Sequence, residues 1–180
     1  MPRKPDPNLE QSIVEAALRL LAKQGVEAIT MREVARAAGT TTPTIYERFK
    51  DRDALIAAVT DYHRDRLVSN LTSEDSLEVA ATKFFDYCRE HPTAVDLLLA
   101  RIAANIKLRK RGPTYDIVRH NLMKVDGLNP KDAEEMTKAT SAMIFGTALL
   151  VSKVDDRAIA REMERATCKM MRRLVASYKN

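Results

Sequence analysis

One short stretch of the chain, residues 30–52, concentrates side chains that can bind a polyanion and form directed hydrogen bonds. It contains five basic residues, Arg32, Arg36, Arg48, Lys50 and Arg52, and five threonines, among them Thr41, Thr42 and Thr44. Cationic groups bind phosphates, and hydroxyl groups donate or accept hydrogen bonds at base edges. Three acidic residues reduce the net charge of the stretch to +2. Any contact with nucleic acid therefore depends on the positions of a few cationic side chains and not on a high overall charge.

These side chains need a first helix to position them. Thr30 followed by Glu33 is a capping-box pattern, which predicts that a helix begins there. Gly39 stands where the end of that helix requires a residue that adopts positive φ. We therefore predict a helix over about Thr30–Ala38, ended by a tight glycine turn.

A second helix should follow the turn directly, over about Thr42–Phe49. Thr41 or Thr42 can cap it, and Pro43 is tolerated in its first turn because that position needs no intrahelical N–H donor. Two helices joined by a short turn that contains glycine form a helix-turn-helix, a geometry that binds DNA.

The same region resembles the N-terminal signature of TetR-family transcriptional regulators. The resemblance rests on agreement at fixed offsets, at Ala38, Gly39, Thr41 to Thr44, Ile45, Tyr46, Phe49, Arg52 and Leu55. It is specific in about the first third of the chain, and the remainder is similar in layout only. It implies a dimeric regulator, most often a repressor, that binds a palindromic operator and is released by a small molecule.

The resemblance also assigns roles to individual residues. The turn that faces the bases would consist of Thr41, Thr42, Pro43 and Thr44. Arg32, in the first turn of its helix, would make a bidentate contact to guanine. The phosphate contacts would come from Thr30, Tyr46, Lys50 and Arg52. Arg52 stands where the family more often has lysine, which preserves the charge. In the alternative interpretation, Tyr46 and the threonines only pack and cap helices.

Composition favours an all-α fold. Helix-forming residues are frequent, whereas only 5% of the chain is aromatic and it has five glycines and seven prolines. The spacing of apolar residues predicts about nine helices. We expect an N-terminal three-helix helix-turn-helix DNA-binding domain (residues 1–52), a connecting fourth helix (53–72) and a C-terminal helical effector-binding and dimerisation domain (73–180).

The resemblance also leads to two predictions for the C-terminal helices. A ligand pocket would be lined by Phe84, Phe85, Cys88, Leu98, Ile102 and Phe145, although each of these residues suits an ordinary core equally well. A dimer interface would contain Ala142, Gly146, Leu149, Met163, Ala166 and Met170. The long helix predicted over 131–154 is apolar on more than one side, so a partner must cover its second side.

Other classes of function are poorly supported by the sequence. His63, His91 and His120 are scattered, Cys88 and Cys168 fit no metal-ligand spacing, and the glycines form no phosphate-binding loop. We therefore expect no enzymatic activity, no cofactor and no metal.

The expected partners follow from these assignments. They are double-stranded operator DNA, a small-molecule effector of apolar character and a second copy of the chain. The net charge of +5 agrees with nucleic acid only mildly. No signal peptide or membrane span is recognisable, so we expect a cytoplasmic protein. The alternative is a helical ligand-binding or protein-interaction module without DNA-binding activity.

Overall fold

The computed structural model describes residues 8–72 and 75–178, and these form nine α-helices and no β-strand. The all-α prediction is confirmed. The helices are α1 (Leu9–Gln24), α2 (Met31–Ala37), α3 (Thr42–Tyr46), α4 (Arg52–Ser69), α5 (Leu77–Glu90), α6 (Pro92–Lys107), α7 (Pro113–Met123), α8 (Pro130–Val151) and α9 (Arg157–Ser177). A 3₁₀ turn over Val26–Ala28 precedes α2.

Contacts divide the chain into two compact units. The N-terminal unit ends at Arg64 and the C-terminal unit begins at Asp65, so the boundary falls inside α4. The predicted division into residues 1–52, 53–72 and 73–180 assigns a role to each segment, and it stays a prediction.

The N-terminal unit is organised by a small apolar core. One face of α1 is buried, and it supplies Ile13, Ala16, Ala17, Leu20 and Leu21. Val34 of α2, Ile45 of α3 and Leu55 of α4 have no solvent exposure. Burial of a side chain of this size contributes about 1.5–3 kcal/mol. These contacts hold α2 and α3 in a fixed relation.

The helix α3 is shorter than the sequence predicts. It ends at Tyr46, and in the turn that follows the amides of Arg48 and Phe49 both donate to the carbonyl of Ile45, at 3.0 and 2.8 Å. Phe49 is still buried. The sequence suggested a longer helix because Phe49 is apolar. In the structure Phe49 packs into the core from the turn after α3.

The C-terminal unit is a helical bundle in which α8 packs against α5, α6, α7 and α9. Buried residues recur along α8 at helical spacing, from Ala133 and Met136 to Ile144 and Ala148. They join a core that includes Phe85 of α5 and apolar residues of α7 and α9. The long helix is thus buried on one side over most of its length.

Candidate nucleic-acid interface

The start of α2 is fixed by Thr30. Its side-chain oxygen accepts a hydrogen bond from the Glu33 amide at 3.2 Å, as the capping pattern predicts. The reciprocal half of the capping box is not formed, because the Glu33 carboxylate pairs with Arg36, whose Nε donates at 3.1 Å. The carboxylate therefore offsets the charge of Arg36. The Thr30 hydroxyl retains its own O–H for a further acceptor.

The turn between α2 and α3 has the conformation that the glycine predicts. Gly39 has φ +66°, and the amide of Thr40 donates to the carbonyl of Ala35 at 2.9 Å. A Cβ on Gly39 would meet no atom within 4 Å. The requirement for glycine is thus conformational and does not come from crowding.

The first turn of α3 is held by a pair of threonines. Thr41 Oγ1 accepts from the Thr44 amide at 3.4 Å and lies 2.9 Å from Thr44 Oγ1. Thr41 and Pro43 are exposed, whereas Thr42 and Thr44 are half-buried. Capping and an exposed, hydroxyl-bearing helix end are therefore present together. The two interpretations of these threonines do not exclude each other.

Four side chains that carry hydrogen-bond donors are exposed around these helices and form no ion pair or side-chain hydrogen bond within residues 8–72 and 75–178. They are Arg32, Tyr46, Arg48 and Lys50, and the side chain of Tyr46 is 53% exposed. The first, second and fourth were assigned DNA contacts. Arg48 received no role from the resemblance, although its environment is the same. Charge in this region is therefore available at a few positions, in agreement with the low net charge.

Arg52 has a different environment from the other cations. Its Nε donates to the carbonyl of Ile29 at 2.7 Å, and its Nη2 donates to that of Val26 at 2.9 Å. Glu27 lies 3.6 Å from the same guanidinium. Arg52 thus connects the first residue of α4 to the 3₁₀ turn and the segment before α2. Its predicted phosphate contact stays a prediction beside this intramolecular role.

The predicted ligand-pocket residues fall into three environments. Phe84 and Phe145, whose ring centroids are 5.6 Å apart, line a small cavity of about 20 Å³. Phe85, Cys88 and Leu98 are buried in the core of the C-terminal unit, and Ile102 is half-buried on α6. Burial raises the pKa of the Cys88 thiol to about 12. A thiol in this environment is chemically inert at neutral pH.

A larger cavity lies elsewhere in the C-terminal unit, where α5 and α8 end and α6 and α9 begin. It has a volume of about 410 Å³, and its lining is rich in charged residues, including Arg89, Glu90, Asp155, Arg157 and Arg161. None of the predicted pocket residues lines it. The sequence did not indicate this cavity because its lining comes from two stretches, residues 86–92 and 151–161, that are far apart in the chain.

The predicted dimer residues lie mostly on the surface of this chain. Ala142, Gly146 and Ala166 are exposed, Leu149 and Met170 are 37% and 49% exposed, and Met163 is half-buried. The structure adds two large exposed apolar residues, Leu150 of α8 and Ile159 of α9. Together these eight residues define what we call the α8/α9 face.

Within 8–72 and 75–178, no group of three or more His, Cys, Asp or Glu side chains is arranged to hold a metal ion. No helix in the same ranges is long and apolar enough to cross a membrane.

Comparison with known proteins connects this geometry to a family. Residues 13–59 match the family model described as bacterial regulatory proteins, tetR family. The chain is 43% identical to the HTH-type transcriptional regulator AcrR of Shigella flexneri over 49 residues, which are 27% of this chain and 23% of that protein. It is 26% identical to the tetracycline repressor protein class D of Escherichia coli over 149 residues, or 77% of this chain and 64% of the repressor. The chain thus spans between about a quarter and two thirds of these relatives.

Solved structures extend the likeness to the whole fold. The structure of BioQ with its double-stranded DNA operator has a TM-score of 0.66, with 18% identity over 94% of this chain and 96% of BioQ. The Mycobacterium smegmatis BioQ structure is similarly close, with a TM-score of 0.67. At this identity the likeness establishes the fold, including the helical C-terminal unit that the family model does not cover.

Proposed function

We propose that this chain, which belongs to the TetR family of bacterial regulatory proteins, is a DNA-binding transcriptional repressor that acts as a homodimer and releases its operator when it binds a small molecule. In this proposal α2 and α3 read DNA, α4 links the two units, and α5 to α9 bind the effector and form the dimer. A regulator of this kind would act in the cytoplasm, on double-stranded DNA.

The observation that carries the proposal is the exposed end of α3 with its surrounding cations. Residues at the start of a recognition helix approach base edges in the major groove, while flanking cations contact phosphates. The Thr41–Thr44 hydroxyl pair lies at that end of α3. Tyr46 and Lys50 are exposed beside it, with no competing partner in the described part of the chain. The helix-turn-helix therefore presents free donors where a duplex would lie.

Homodimer formation is supported by the α8/α9 face. Leu150, Ile159 and Met170 are each about half exposed. Ala142 and Gly146 of α8 are also exposed, and their small size allows a partner helix to approach closely. Apolar patches of this kind on a soluble protein usually mark an interaction site. A dimer would place two recognition helices in successive major grooves, about 34–36 Å apart or a multiple of that distance.

Effector release requires a ligand that discriminates between two conformations of the protein. A ligand lowers operator affinity only if it binds the non-binding conformation more tightly than the binding one. Two of the predicted pocket residues, Phe84 and Phe145, line the small apolar cavity of the C-terminal unit. They support an effector of apolar character.

The test compares two exposed tyrosines. Tyr46→Ala removes a proposed phosphate contact, and Tyr178→Ala removes a tyrosine of similar exposure (37%) just beyond α9. Binding of DNA from the region upstream of the protein's own gene is measured by fluorescence anisotropy at several salt concentrations. We expect Tyr46→Ala to weaken binding at least tenfold at an unchanged melting temperature, and Tyr178→Ala to have no effect.

Equal DNA affinities of the wild-type protein and the Tyr46→Ala variant would reject the assignment of α3 as the reading helix. Binding that does not weaken as salt is raised would reject DNA recognition altogether, because phosphate contacts always release counterions. That second result would favour a helical ligand-binding or interaction module.

A further inference from the structure

The small cavity of the C-terminal unit has an unusually uniform lining. It lies among α5, α7 and α8, and its eleven lining residues are apolar except for Thr114 and Ser141. None of them is charged. Its volume of about 20 Å³ leaves room for about one water molecule. A larger occupant therefore enters only if side chains such as Phe145, which is half-buried, move aside.

Ser141 gives this cavity a specific polar group. The residue is only 6% exposed, and its Oγ has no hydrogen-bond partner in the described structure. Thr137, one turn earlier on α8, satisfies its own hydroxyl by donating to the carbonyl of Ala133 at 2.6 Å. Unsatisfied buried hydroxyl groups destabilise a protein and are rare in native structures. The Ser141 hydroxyl is thus available to a molecule that fills the cavity.

We propose that this cavity is the effector site and that it takes a neutral, mostly apolar ring compound with one hydrogen-bonding group, which pairs with Ser141 Oγ. The absence of charged residues from the lining excludes an ionic ligand, since a buried charge without a partner is strongly unfavourable. The ring of Phe84, which is buried in the cavity wall, favours a flat apolar body. The assignment as the effector site rests on the proposed function; the ligand chemistry rests on the cavity alone.

The experiment uses three bicyclic probes of similar shape. Indole donates one hydrogen bond, 1-indanone accepts one, and indene forms neither. Binding to the full-length protein without DNA is measured by calorimetry and by the shift in melting temperature. We expect the wild-type protein to bind indole or 1-indanone about tenfold more tightly than indene.

Three variants connect the preference to the cavity. Ser141→Ala should abolish the difference between the probes. Thr140→Val is the matched control, because Thr140 has a buried hydroxyl without a partner but does not line the cavity, so it should keep the preference. Phe145→Ala should strengthen the binding of all three probes, since it removes a ring that must otherwise move.

The outcomes separate the cavity from the proposed function. No binding of any probe by the wild-type protein and by Phe145→Ala, or a preference that survives Ser141→Ala, would overturn the inference. Because these measurements contain no DNA, their failure leaves DNA binding untouched. Failure of the anisotropy test with Tyr46→Ala, in turn, leaves the ligand chemistry of the cavity intact.

Discussion

Mutation of Arg52 can distinguish a DNA contact from a structural role, because the sequence and the structure give this residue different roles. The resemblance makes it a phosphate ligand, whereas its guanidinium donates to the carbonyls of Ile29 and Val26 at 2.7 and 2.9 Å. We predict that Arg52 acts mainly by positioning α4 against the segment before α2. Arg52→Ala should therefore reduce the stability of the protein more than it changes the electrostatics of DNA binding.

The magnitude follows from the two hydrogen bonds. A bond from a charged donor contributes about 1.5–3 kcal/mol, but the side chain of Arg52 is 38% exposed, so water replaces part of this. We estimate about 2 kcal/mol for the pair, which lowers the melting temperature by about 4–8 °C in a protein of this size. Arg52→Lys retains the charge but reaches only one carbonyl, so about half of the loss is expected.

The assay combines thermal unfolding with the salt dependence of DNA affinity. Loss of one phosphate contact reduces the slope of log affinity against log salt by about 0.9 per protomer. Lys50→Ala, the control, removes an exposed cation two residues away and should show this smaller slope with an unchanged melting temperature. Arg52→Ala should show the opposite combination. An Arg52→Ala variant that melts like the wild type and loses about 0.9 from the slope would refute the positioning role of Arg52.

Three further predictions concern the C-terminal unit. Tyr115→Phe removes the 2.8 Å hydrogen bond that lowers the pKa of Glu134, so it should destabilise the protein by about 1 kcal/mol at pH 7; this bond stabilises above the ordinary glutamate pKa of 4.5, so in thermal melts the difference should shrink as the pH falls below that value. Glu164→Gln weakens the ion pair with Arg89 between α9 and α5 and should lower stability by about 1–3 kcal/mol in urea unfolding, while an unchanged midpoint would show the pair to be inconsequential. Cys88, whose pKa is raised to about 12 by burial, should resist iodoacetamide at pH 8 until the protein unfolds, and labelling of the folded protein at the rate of a free thiol would contradict its burial.

The helix-turn-helix was predictable because its signals are local. Thr30, Gly39 and Thr41 act within one turn of their own positions, through caps and a backbone conformation that the residue type decides. The same kind of local signal starts α9, where the side chain of Asp156 accepts from the amides of Ala158 and Ile159. Residue type and short spacing are sufficient to predict these caps and this turn.

The parts that escaped prediction depend on residues distant in sequence. Nothing near Arg52 indicates that its guanidinium binds carbonyls 23 and 26 residues earlier. The partnerless hydroxyl of Ser141 is recognisable only once three helices have enclosed it. The sequence shows that Phe84, Phe85 and Phe145 are all apolar. It does not show that Phe84 and Phe145 line a cavity while Phe85 does not. Side-chain partners across a fold require its coordinates.

The hydrogen bonds of Arg52 also affect the order in which parts of the chain fold during synthesis. The hydrogen bond to Ile29 closes a loop of about two dozen residues that contains the whole of α2 and α3. The N-terminal unit as a whole extends only to Arg64, so its contacts join residues that are close in sequence. Loops of this length close rapidly, and contacts between residues close in sequence favour fast folding. Domains near the N-terminus generally fold first as the chain leaves the ribosome. The helix-turn-helix can therefore reach its final arrangement while the C-terminal unit is still being synthesised.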